Sequence, residues 1–81
     1  MKTLEQILKT TEKASKNGMF GLDACKESIK SQIEMDKKYF NKETSLYTLL
    51  EEFVNRANKD VFFNSNMVRA CWELINEVGV Q

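Results

Sequence analysis

Two stretches of this 81-residue chain repeat one pattern at helical spacing, and the repetition narrows the folds open to it. Ala24-Cys25-Lys26-Glu27-Ser28-Ile29 and Ala70-Cys71-Trp72-Glu73-Leu74-Ile75 both read A-C-x-E-x-I, 46 positions apart. At the same offset Leu4-Glu5-Gln6-Ile7-Leu8 aligns with Leu50-Glu51-Glu52-Phe53-Val54, Lys13 with Lys59, and Leu22 with Val68. Residues 4–29 and 50–75 share seven identities at this offset. Apolar residues in each copy recur at i, i+3 and i+4, which marks amphipathic helices. The chain has no proline and only three glycines, so nothing breaks long helices. The expectation is a single all-α domain over residues 1–81. It is a small antiparallel four-helix bundle built from two similar helical hairpins, 3–40 and 45–79. In that arrangement Cys25 and Cys71 take equivalent inward positions about a pseudo-twofold axis.

The first helix is expected from Leu4 to Asn17, with Thr3 and Gln6 forming a capping box and Gly18 closing its end. Its stripe is Leu4, Ile7, Leu8, Thr11 and Ala14. Met19, Phe20 and Gly21 form a turn. A second helix follows from Leu22 to Phe40, with the stripe Leu22, Cys25, Ile29, Ile33 and Phe40. Asp36 falls inside that stripe and is either a solvated helix end or one half of a specific charge pair. Thr44 or Ser45 caps a third helix, Leu46 to Ala57, whose stripe of Leu46, Leu49, Leu50, Phe53, Val54 and Ala57 is the clearest in the chain. The fourth helix runs from Met67 to Val78 with Met67, Val68, Cys71, Leu74, Ile75 and Val78 inward. Between them, Val61-Phe62-Phe63 sits among the turn-forming residues Asn58, Asp60, Asn64, Ser65 and Asn66. Those three either plug one end of the bundle or form an exposed apolar patch, and a core this small favours the plug. The second helix, at about 19 residues and about 28 Å, is longer than the fourth and overhangs it by a turn or two.

Most chemistry is excluded by what the chain lacks. There is no histidine, which removes the usual general base and the commonest metal ligand. The two cysteines do not form C-x-x-C and are too few for a structural zinc site, so they read as small buried hydrophobes. Glu51-Glu52 and Glu73/Glu77 read as solvated helix carboxylates. Gly18-Met19-Phe20-Gly21 is too short and apolar to cradle a phosphate. No enzymatic activity and no cofactor are therefore expected. Net charge is zero, against the basic excess of nucleic-acid binders. A helix-turn-helix made from the last two helices would have a long connection, and its recognition helix, starting at Asn66-Met67-Val68-Arg69, would carry one basic side chain. No nucleic acid is expected as a partner. Apolar runs are too short to span a bilayer, and Met1-Lys2-Thr3-Leu4-Glu5 is not a secretory leader, so no membrane insertion and a cytoplasmic location are expected.

A binding role then carries the functional reading, with another protein as partner and self-association as a further expectation for so small a bundle. The candidate anchors are Met35, Tyr39, Phe40, Phe62, Phe63 and Trp72, with Lys37, Lys38 and Arg69 as steering charges. Trp72 is singled out because the first copy of the repeat has Lys26 in its place. A second reading is an oligomer that sequesters a small anionic ligand such as a nucleotide beside Lys37-Lys38-Tyr39.

Lysine outnumbers arginine ten to two and asparagine occurs seven times, a composition typical of phages and some bacteria. The runs Asn17-Gly18-Met19-Phe20-Gly21-Leu22-Asp23-Ala24-Cys25-Lys26 and Asp36-Lys37-Lys38-Tyr39-Phe40-Asn41-Lys42-Glu43 resemble the small cytoplasmic antiholins of T-even-type phages. The resemblance implies a phage protein that binds the cytoplasmic part of a holin and delays lysis. It carries no residue-by-residue roles.

Overall fold

Helix ends are set by a few polar side chains. In the computed structural model, which describes residues 1–14 and 21–79, α1 spans Leu4–Ala14, α2 Leu22–Tyr39, α3 Leu46–Lys59 and α4 Asn66–Gly79. The capping box on α1 is formed in both directions. Gln6 N–H donates to Thr3 Oγ1 at 3.2 Å and Thr3 N–H to Gln6 Oε1 at 3.0 Å, which satisfies two orphan amides. Ser45, rather than Thr44, caps α3 by accepting from Tyr47 N–H at 3.2 Å. Before α4, the Asn64 side chain accepts from Asn66 N–H at 3.0 Å. The expected end of α1 at Asn17 and cap at Gly18 lie outside the described residues.

At the end of α2, Asn41 takes the left-handed conformation (φ 49°), which asparagine tolerates better than most residues. The chain can then fold back so that Phe40 N–H and Lys42 N–H both donate to the Asp36 carbonyl. The Asp36 carboxylate accepts the Thr44 hydroxyl at 2.5 Å. Asp36 therefore has a specific partner, but a neutral one. It fastens the α2–α3 connection, and among the described residues it is not half of an ion pair.

The protein is all-α, with four helices around one core, and α4 is the hub. Among the described residues α4 packs against each of the other three helices, α1 also touches α3, and α2 packs against α4 alone. α4 supplies five of the eleven buried hydrophobic residues among those described, namely Val68, Ala70, Cys71, Leu74 and Ile75. α2 and α4 run in the same sense. Cys25 sits by Asn64 just before α4, while Ile33 lies with Leu74 and Val78 toward its end. α3 runs opposite to α4, with Leu46 O accepting from Cys71 Sγ and Phe53 stacked on Phe63.

The repeat is equal in letters and unequal in surroundings. Cys25 and Cys71 are both buried thiols, as the pairing of the copies predicts. Ala70 is fully buried, however, while Ala24 is exposed. α4 must be apolar over a wide arc to meet three neighbours, whereas α2 needs only the stripe that meets one. Val78, placed inward by its spacing, is exposed at the end of α4.

Candidate functional site

α2 continues past its contact with α4, and its last turn carries large side chains into solvent. Met35 and Tyr39, one turn apart on one face, are 50% and 64% exposed, and Phe40 just beyond is 72% exposed. Phe40 was expected in the apolar stripe. It instead follows the last helical residue, where the turn through Asn41 carries it away from α4. Lys37 and Lys38 are also exposed, and Lys38 Nζ lies 5.3 Å from the Tyr39 ring centroid, within cation–π range. Tyr47, in the first turn of α3 at the same end of the molecule, is exposed as well. Its offset of one residue from Leu46 puts it off the α3 stripe.

The other expected anchors lie elsewhere. Phe62 is at the α3–α4 connection, separated from Tyr47 by the length of α3, about 21 Å for 14 residues. Asp60 divides the Val61-Phe62-Phe63 run. Its Oδ1 accepts from Phe62 N–H at 2.9 Å and its carbonyl from Phe63 N–H at 3.2 Å. That turn sends Phe63 inward, onto Phe53 at 5.8 Å between centroids and beneath the Arg56 guanidinium at 4.5 Å. Val61 and Phe62 are left 94% and 95% exposed. The expected plug is thus one residue, and the other two form a patch.

Arg69 is not a surface charge. Its Nη2 donates to the Leu8 carbonyl, Nε to Thr11 Oγ1 at 3.4 Å, and Glu12 lies 4.0 Å away. Thr11 is buried, and its hydroxyl donates to Leu8 O at 2.9 Å. The guanidinium joins the Leu8 carbonyl and the Thr11 hydroxyl of α1 to the hub helix. Replacing Arg69 with Met keeps the stem and leaves the Leu8 carbonyl and Thr11 hydroxyl without that donor. The expected loss is about 1–3 kcal/mol, with hydrogen exchange accelerated in α1 before α2 or α3. Uniform acceleration across all helices would contradict this role.

Trp72 is half-buried and packs against the core. Its counterpart Lys26 spans to α4, with Nζ 3.0 Å from both Glu77 and Glu73. Hydrogen bonds to Glu77 first and Glu73 second raise the Lys26 pKa above its ordinary value. Burial raises both thiols, Cys71 to about 11. Neither cysteine is therefore poised as a nucleophile. Among the described residues no three Cys, Asp or Glu side chains converge as a metal site, and no helix is long and apolar enough to cross a membrane. The nine expected partner-binding residues separate into Met35, Lys37, Lys38, Tyr39 and Phe40 at one end, Phe62 at the other, and Phe63, Arg69 and Trp72 turned wholly or partly inward.

No family model, no curated protein and no solved structure matches this chain.

Proposed function

We propose that this protein is a small non-enzymatic regulator that binds another protein through the end of α2 and works by masking that partner's surface. The observation behind this reading is the exposure of Met35, Tyr39 and Phe40 together on a helix end that none of the other described helices covers. Aromatic and methionine side chains supply apolar area at a modest entropic cost, and Lys37 and Lys38 beside them steer an acidic partner. The resemblance to phage antiholins suggests the specific case, a cytoplasmic regulator that delays lysis by occupying part of a holin. The test is affinity capture from infected host cells with the wild type and with Met35→Ser/Tyr39→Ser/Phe40→Ser. The substituted residues are exposed, so the variant should fold with the same helical circular dichroism. Recovery of a specific partner by the wild type and its loss by the variant is the expected result. A partner retained equally by both would remove the α2 end from the interaction.

The anionic-ligand reading is less well supported. Lys37 and Lys42 share a groove with Thr44 and Ser45, but Glu43 lines the same groove. The hydroxyls are already engaged, Thr44 with Asp36 and Ser45 with Tyr47 N–H. Two carboxylates beside the lysines oppose an incoming phosphate. The DNA reading loses its basic side chain, because Arg69 is held against α1.

A further inference from the structure

One face of α2 carries no charge, and none of the other described helices covers it. Ala24, Ser28, Ser31, Met35 and Tyr39 recur at i, i+4, i+7, i+11 and i+15, which lines them up along the helix, and all five are exposed. The stripe turns away from Cys25 and Ile29, the side chains that α2 buries, and α4 is the one described helix on that inner side. It is graded in size, small in the first half of the helix and large in the second. At about 100° per residue, the exposed charges of α2 all lie to one side of it, in the order Lys38, Glu27, Glu34, Asp23, Lys30 and Lys37 going round the helix. The two remaining charges are engaged elsewhere, Lys26 by Glu73 and Glu77, and Asp36 by the Thr44 hydroxyl. The chain exposes 6101 Å² of accessible surface. A folded monomer of 9.4 kDa exposes about 5,000 Å². The surplus of about 1,000 Å² compares with roughly 800 Å² per partner in a standard interface.

We infer that a second copy of this chain covers this face, in an antiparallel twofold pair of α2 helices centred between Ser31 and Gln32. That register sets Ala24 level with the second copy's Tyr39, Ser28 with its Met35 and Ser31 with its Gln32. Each large side chain then meets a small one, so the two stripes interlock and the helix axes approach closely. The twofold repeats every contact, which makes the face its own complement. Charge agrees with size. The second copy's Lys38 falls between Asp23 and Glu27, about 3 Å along the axis from the level of each. Glu34 falls between the second copy's Lys30 and Glu27, with Lys30 the nearer along the axis. A parallel pair would instead set Met35 on Met35, Tyr39 on Tyr39 and every charge on its like. The seam holds two large apolar side chains per copy, so the dimer is reversible and concentration-dependent. It closes over Met35 and Tyr39, and the monomer is then the form that takes another protein at the α2 end. That consequence rests on the partner-binding reading above; the dimer itself does not.

The experiment is sedimentation equilibrium of the full chain up to the millimolar range, where a monomer–dimer equilibrium is expected. Ser31→Glu places two like charges beside the twofold axis and should weaken the dimer by roughly tenfold or more. Lys38→Glu should weaken it several-fold, and adding Glu27→Lys to that variant should restore it. Introduced cysteines report the direction of the pair. On oxidation with copper phenanthroline, Ser31→Cys should cross-link to itself. Ala24→Cys should cross-link to Tyr39→Cys in a mixture of the two and not to itself. Cys25 and Cys71 are buried, and the wild type gives the background. A strictly monomeric chain, a dimer indifferent to Ser31→Glu, or self-cross-linking of Ala24→Cys equal to that of Ser31→Cys would overturn the inference. The substituted positions are exposed, and unaltered circular dichroism would confirm that the variants remain folded. In affinity capture, Ser31→Glu should recover more partner than the wild type. Equal recovery would overturn the link between the dimer and the α2 end, while the dimer stands or falls on the mass measured without any partner.

Discussion

Raising the pH from 9 to 11 is expected to remove about 2 kcal/mol of stability through Cys71 alone. Cys71 is fully buried between α4 and α3, and its thiol donates to the Leu46 carbonyl at 3.1 Å. Burial lifts its pKa from an ordinary 9.0 to about 11. Below pH 9 the thiol is protonated in both folded and unfolded chains, and the contribution is fully present. Between the two values the unfolded chain releases the proton while the folded chain retains it. The folded state therefore loses stability as pH rises through that window, and the loss levels off above it. Cys25 is shifted in the same direction by burial. Lys26, raised by its hydrogen bonds to Glu77 and Glu73, adds a further loss above its ordinary 10.5. Urea unfolding at pH 8, 9, 10 and 11 measures the sum, and Cys71→Ala isolates the largest part. The variant should be less stable at pH 8 and should show a shallower decline toward pH 11. A decline of equal slope in wild type and variant would exclude Cys71 as its source. At neutral pH the same burial predicts slow reaction of both thiols with a thiol reagent, at a rate set by opening of the fold.

How far the sequence reaches is clearest where like residues meet unlike surroundings. The stripes of α3 and α4 and the Thr3–Gln6 capping box were legible because each depends on neighbours within one or two turns. The overhang of α2 that carries Met35 and Tyr39 was legible from the length difference between α2 and α4, but whether α3 folds back over it was not, and Phe40 was expected in the inward stripe. What local pattern cannot show is which helix faces which. Ala24 and Ala70 hold the same place in the repeat, and only the hub position of α4 makes one exposed and the other buried. Arg69 read as a surface charge because it is the one basic residue near the start of its helix. Its partners on α1 lie about 60 positions away in the chain, joined to it only by the tertiary fold. The Val61-Phe62-Phe63 run is the opposite case, a local error. Composition favoured burying all three, and the Asp60 side chain, bonding to an amide two residues on, turned two of them outward. An aspartate before such a run is a turn-former whose effect on the following side chains outweighs their hydrophobicity.

Replacing Ile29 with Ala should cost about 2–5 kcal/mol, a large share of the roughly 5–15 kcal/mol available to a domain of this kind. Ile29 is 0% exposed and is among the largest fully buried side chains. Its position matters more than its size. α2 has one helical neighbour among the described residues, and of its side chains only Cys25 and Ile29 are fully enclosed. A cavity at Ile29 removes the larger of these two attachments, and no second helix stands ready to collapse into the space. The loss should therefore appear first in α2, whose amides exchange hydrogen faster in Ile29→Ala while those of α3 and α4 keep much of their protection. Met35→Ala on the exposed side of the same helix serves as the control and should change stability by no more than about 0.5 kcal/mol. Denaturation midpoints and residue-resolved exchange on the two variants decide the matter. If both substitutions cost the same, or if Ile29→Ala loosens all four helices together, α2 is held by more than its seam with α4. The expected pattern hangs α2 on its one seam with α4, and it is the helix that ends in Tyr39, beside Phe40. A partner bound at that end would then shift the stability of the fold it rests on, through the same Ile29 seam.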